Sequence, residues 1–118
     1  MRHEESHLQQ ACVRWFRYQY PEHAQLLIAV PNGVRTSATQ GRILKAEGML
    51  AGVADLLLLL PRHGYGCLCI EMKTTKKGSC QSDSQKQWQQ ATEQAPNKYV
   101  VCRDFYDFKQ QIETYLAD

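Results

Sequence analysis

Asp55, Glu71 and Lys73 are the residues of this chain whose types and spacing could do chemistry. Asp55 closes Gly52-Val53-Ala54-Asp55, ahead of five leucines and Pro61, and Glu71-Met72-Lys73 ends a second apolar run that begins at Cys67. Both runs read as β-strands, over 53–60 and 67–73, with Gly64 and Gly66 marking the turn between them. Midway between positions 55 and 71 stands His63, inside that turn, so an antiparallel hairpin makes the two acids cross-strand neighbours. Opposed side chains lie about 5 Å apart at Cβ, and two like charges there destabilise a sheet unless something compensates. A hard divalent cation, Mg²⁺ or Mn²⁺, compensates, and it prefers carboxylate oxygens. The side-chain period of two then puts Lys73 on the Glu71 face and turns Ile70 and Met72 toward a core.

The flanking sequence supplies elements able to position this hairpin. Residues 4–20 predict an amphipathic helix, with Leu8, Ala11, Cys12, Trp15 and Phe16 at helical spacing and Pro21 beyond its end. Gln25 to Val30 reads as a strand closed by the turn signal Pro31-Asn32-Gly33. Ser37 can cap a helix over 38–47 that stops at Gly48, with Arg42 and Lys45 on its exposed side. Ser82 and Gln85 form a capping box for a helix reaching about Ala95, ahead of Pro96. Lys98 to Cys102 predicts a last strand, and Asp104 starts a helix with Phe105, Phe108, Ile112 and Tyr115 or Leu116 as its buried stripe. The order is helix, strand, helix, strand, strand, helix, strand, helix: one α/β domain over residues 1–118, with a mixed central sheet flanked by helices.

Asp55 on one strand with Glu71-Met72-Lys73 on the next resembles the D…(D/E)xK signature of restriction-endonuclease-like nucleases. More narrowly, Glu5 with Leu8-Gln9, Pro31-Asn32-Gly33, Gly52-Val53-Ala54-Asp55, Ile70-Glu71-Met72-Lys73 and Ser82, Gln85 and Trp88 resemble the virus-type replication-repair nuclease (VRR-NUC) family, in order and over nearly the whole chain. Ala54 departs from the pattern, where proline would precede the aspartate. The resemblance implies a metal-dependent DNA endonuclease, often selective for branched or flapped DNA and, at this size, acting as a homodimer. It implies that Glu5, rather than its neighbour Glu4, joins Asp55, Glu71 and the Met72 carbonyl around one or two Mg²⁺ or Mn²⁺ ions. It further implies that Lys73 serves the attacking water and that Gln85 points at the active site. Asn32 and Arg35 become candidates for phosphate contact, joined by the basic Arg42, Lys45, Lys76 and Lys77 on either side of the active strand. The rival from another class is a non-catalytic DNA-binding module on the same fold.

Composition bounds the alternatives. A net charge of +2 is too small to argue for nucleic acid by itself, so that argument rests on where the bases cluster. No apolar run approaches membrane length, and five cysteines without a secretory start read as a thiol-reduced, cytoplasmic protein of a bacterial or phage-infected cell. Cys67 and Cys69, alternating on one strand with no partner pair downstream, read as core residues rather than zinc ligands. His3-Glu4-Glu5-Ser6-His7 matches the HExxH zinc-protease motif, yet it opens the chain, where a helix frays and no cleft is expected.

Overall fold

The computed structural model describes residues 3–31, 37–74 and 80–118. Asn32, Arg35, Lys76 and Lys77 lie outside the described residues. A four-stranded sheet in the order β1-β2-β3-β4 forms the centre, from β1 (Leu27–Ala29), β2 (Leu56–Leu58), β3 (Leu68–Met72) and β4 (Lys98–Cys102). The first two pairings are antiparallel and β3/β4 is parallel, which makes the sheet mixed as expected. Four helices surround it: α1 (His3–Gln19), α2 (Ala38–Ala46), α3 (Asp83–Gln94) and α4 (Phe105–Leu116).

The β2/β3 ladder pairs Leu56 with Ile70 and Leu58 with Leu68, so the same register carried one step outward sets Asp55 opposite Glu71. The loop ends in a tight turn in which Arg62 and Tyr65 exchange both backbone hydrogen bonds. His63 (φ 54°) and Gly64 (φ 83°) occupy its centre, both left-handed as a type I′ turn requires. That turn is offset by one residue from the ladder, and the extra residue is taken up between Leu58 and Arg62.

Two elements differ from expectation. The segment expected to extend from Gln25 is a 3₁₀ helix over Pro21–Leu26, and only Leu27–Ala29 remain as strand. Pro21 at the first helical positions fixes the φ that starts such a turn. The leucine strand is also shorter than its apolar run: Gly52 at φ +90° still turns the chain before its start, and the extra residue between Leu58 and Arg62 ends the ladder at Leu58. Single hydrogen bonds, Val30 N–H to Asp55 O and Leu59 N–H to Leu26 O, nevertheless continue the β1/β2 pairing on both sides.

The alternation along β3 divides the core. Leu68, Ile70 and Met72 pack with Cys12 and Phe16 of α1 and with Phe108, Ile112 and Tyr115 of α4. On the other face, Cys69 packs with Ala54, Tyr99 and Trp88 under α3. Trp88 is thus a packing residue, its ring centroid 6.1 Å from that of Tyr99. Cys69 is buried as a core thiol, 3.8 Å from the Cys67 sulfur. No described helix is long and apolar enough to cross a membrane.

Candidate active site

The site forms at the end of β3 nearest Met72. Glu71 is only 2% exposed, the single buried charged side chain among the described residues. Its burial follows from its odd position in β3, which turns it to the α3 face instead of outward. One oxygen, Oε2, accepts from Gln85 Nε2 at 2.9 Å and lies 3.9 Å from Lys73 Nζ. The other, Oε1, is buried and receives no donor. An unpaired carboxylate oxygen removed from water costs several kcal/mol, on the order of a lost charged hydrogen bond or more, so the ionised pair calls for a compensating partner, which a proton shared between Glu71 and Asp55 can supply.

Asp55 faces Glu71. Its Oδ2 accepts from the Met72 backbone N–H at 2.7 Å, locking the acid against the end of β3. Burial raises its carboxyl above the usual carboxylate range, opposed by that backbone N–H. For Glu71 the effect is larger: burial first, then the negative charge of Asp55, push its carboxyl up to about 8, against the pull of Lys73. The pair titrates as a unit, and these directions say that the metal-free site favours holding one proton. Tyr99, behind the pair, is pushed up to about 12 by burial and then by the charge of Glu71, and its hydroxyl accepts from Gln81 Nε2 at 3.1 Å. No sequence pattern singled out Tyr99, because its place beside Glu71 depends on a parallel pairing between strands separated by a helix.

Gln85 serves two roles. Its backbone N–H donates to Ser82 Oγ and its side-chain Oε1 accepts from the Ser82 N–H at 2.8 Å, completing the capping box of α3. The same amide spends its Nε2 on Glu71, so the cap orients the acid of β3. Gly52 holds this arrangement in place. A Cβ built on it would overlap the Ser84 carbonyl and come within 2.8 Å of the Gln85 nitrogen. Gly52→Ala is therefore expected to displace the start of α3, lower stability by about 2–4 kcal/mol through combined overlap and left-handed strain, and weaken divalent-cation affinity. Thermal melting and Mn²⁺ calorimetry check this; an unchanged cation affinity would show that Gln85 is not held through Gly52.

Glu5 is half-buried and its charge acts on both Asp55 and Glu71, whereas Glu4 is exposed. That difference favours Glu5, but Glu5 does not complete a cluster: among the described residues no group of three or more His, Cys, Asp or Glu could hold a metal ion. The reason lies in the layers. Asp55 and Glu71 belong to the α3 face, while α1, which carries Glu5, covers the opposite one, so Glu5 acts on the pair through its charge. Met72 has its side chain in the core, leaving only its backbone to the site. Lys73, 15% exposed, is anchored through its backbone N–H to Cys102 O at 3.0 Å. Arg42 and Lys45 project from α2, exposed as expected, with Arg42 Nη2 3.4 Å from Thr39 Oγ1. His7 is exposed on the first turns of α1, and no third ligand gathers with it among the described residues.

The mixed sheet thus carries an acid pair and a lysine at one strand end. No family model matches the sequence, and no curated protein matches it. A solved structure described as a VRR_NUC domain protein is similar to the chain with a TM-score of 0.81, over 95% of this chain and 87% of that one, at 21% sequence identity. The fold is therefore that of a VRR-NUC domain. At that identity the likeness speaks for the fold, and the roles of individual side chains rest on the geometry above.

Proposed function

We propose that the protein is a Mg²⁺- or Mn²⁺-dependent deoxyribonuclease that hydrolyses phosphodiester bonds at the Asp55–Glu71–Lys73 site. The observation that carries this reading is the buried Glu71 carboxylate with one oxygen unpartnered, facing a second carboxylate. The donor set is all oxygen, which fits a hard cation and not a thiophilic one. Asp55 and Glu71 would hold it, with Glu5 in reach of its field and the Met72 carbonyl as a backbone donor. Such an ion, when bound, polarises phosphate oxygens and lowers the pKa of water. Gln85 and the Met72 N–H fix the two carboxylates in advance, so they need not reorganise as charge develops. The Lys73 ammonium positions the attacking water and steadies the negative phosphate oxygens.

The substrate on this reading is DNA, branched or flapped, and the working unit is a homodimer, since one site cannot cut both strands in a single encounter. The surface supports the dimer. No residue of α2 is buried, and Ile43, Met49 and Leu50 stay 52%, 37% and 59% exposed. Met49 and Leu50 border an apolar cleft of about 390 Å³ closed by Val30, Leu44 and Val53, with Ile43 exposed on the same helix as Leu44, which suits a second copy of the same helix. The decisive experiment is cleavage of a flapped duplex by the purified protein with Mg²⁺, Mn²⁺ or chelator, beside sedimentation at micromolar concentration. Metal-dependent cleavage by a dimer is expected, with Ile43→Asp/Leu50→Asp shifting it to monomer. Tight DNA binding without cleavage under every metal would favour the non-catalytic module, and stoichiometric zinc bound through His3 and His7 would favour the protease motif.

A further inference from the structure

Ser6, Gln9, Gln10, Val13, Arg14 and Arg17 line an open groove of about 470 Å³ along α1. Their spacing of three and four residues places them on one stripe of the helix, beside the Leu8, Cys12, Trp15 and Phe16 stripe that packs on the sheet. No acid occurs between Ser6 and Tyr20, so the groove carries only positive and neutral side chains of the helix. Arg14 and Arg17 are exposed, and neither has an ion pair or hydrogen bond among the described residues. Lone guanidiniums in fixed fork geometry suit phosphate oxygens. Gln9 also lines the groove, and its amide carries two N–H groups that can donate to phosphate oxygens when the side chain turns outward.

The groove begins one residue after Glu5, whose charge reaches Asp55 and Glu71. From Ser6 to Arg17 the helix rises about 16 Å, which matches the rise of roughly five nucleotides of one strand at about 3.4 Å each. We propose that this groove binds the sugar-phosphate backbone of a DNA strand leading to the carboxylate site, with Arg14 and Arg17 on successive phosphates and the Gln9 amide nearer the site. None of the bases expected from sequence to contact DNA lies on α1, so the track is a separate part of the substrate surface. The proposal rests on the nuclease reading of the site.

Fluorescence anisotropy with a labelled flapped duplex in Ca²⁺ buffer, where no turnover is needed, tests it across a salt series. Arg14→Gln/Arg17→Gln should flatten the log-log salt dependence by about 1.8, at roughly 0.9 per lost phosphate contact. Arg14→Glu/Arg17→Glu should weaken binding at least about tenfold near 0.1 M salt. In cleavage the glutamine pair should raise KM with kcat within about twofold. Mn²⁺ affinity should be unchanged in both. The control is Arg62→Glu/Lys98→Glu, at the end of the sheet away from Glu71, and it should lose far less affinity. Equal losses in the control, or wild-type salt slopes in the glutamine pair, would overturn the proposal. So would a poly-glutamate peptide that binds as tightly as DNA and is lost in the same variant, which would assign the groove to an acidic protein. A protein that binds DNA through Arg14 and Arg17 yet never cleaves overturns the nuclease reading and leaves the groove standing.

Discussion

In chelator, with no divalent cation present, the wild-type protein should melt at steadily lower temperature as pH rises from 5 to 8, and Glu71→Gln should abolish most of that slope. Glu71 holds its proton more tightly in the fold than in the unfolded chain, its carboxyl moving from 4.5 to about 8. A raised folded value means that the stabilisation is complete below the unfolded value and is lost as pH climbs through the folded one. The window is therefore from about pH 4.5 to 8, and at about 1.4 kcal/mol per pH unit the loss is on the order of a few kcal/mol. Asp55, also raised by burial, adds a slope of the same sign. Mn²⁺ at a fixed concentration about a hundred times its Kd at pH 8 should restore about 2.7 kcal/mol there and less at pH 5, because proton competition raises the apparent Kd. Glu71→Gln keeps an oxygen for the Gln85 amide but has no charge to bury, so its metal-free form should outlast wild type at pH 8 and respond little to Mn²⁺. A flat wild-type profile would mean that water or another donor reaches Glu71 Oε1 in solution.

The second large effect separates the roles of Glu71 and Lys73. Glu71→Ala should lose cleavage together with most Mn²⁺ affinity, since a cation that keeps several waters depends on its few protein carboxylates. Lys73→Ala should lower kcat by about 10²–10⁴, the range typical of a side chain that handles a proton or developing charge. Its effect on metal binding depends on pH. Lys73 is the cationic neighbour that opposes the rise of Glu71, so its removal lets that carboxyl climb further, and proton competition weakens Mn²⁺ binding near pH 7. Above pH 9 the missing positive charge should instead favour the cation. The backbone anchor of Lys73 to Cys102 does not involve its side chain, so the strand should stay in register. Calorimetry at pH 7 and 9 beside a single-turnover cleavage assay checks both. Near wild-type cutting by Lys73→Ala would remove the lysine from the mechanism.

What the sequence by itself determined is local. The hairpin and the pairing of Asp55 with Glu71 were legible from the two runs and the turn between them, although the turn itself centres between His63 and Gly64 and the ladder keeps its register because an extra residue is taken up between Leu58 and Arg62. The Ser82–Gln85 capping box, the strand over Lys98–Cys102 and the stripe of Phe108, Ile112 and Tyr115 were equally legible, since each depends on residues within one or two turns of one another. The 3₁₀ helix before β1 was not, because propensity does not distinguish a proline-started turn from a short extended segment that tertiary pairing never recruits.

Tertiary structure alone decided how the acids stand toward one another and toward solvent. The parallel β3/β4 pairing, across an intervening helix, put Tyr99 behind Glu71. Packing of α3 sealed Glu71 to 2% exposure and turned a capping glutamine into its hydrogen-bond partner. The split of α1 and α3 between opposite faces set Glu5 beside the acid pair without completing a three-ligand cluster. Residue types name what a site can do, but burial and distance set its energetics, and these come from contacts between segments far apart in the chain, which no local pattern encodes.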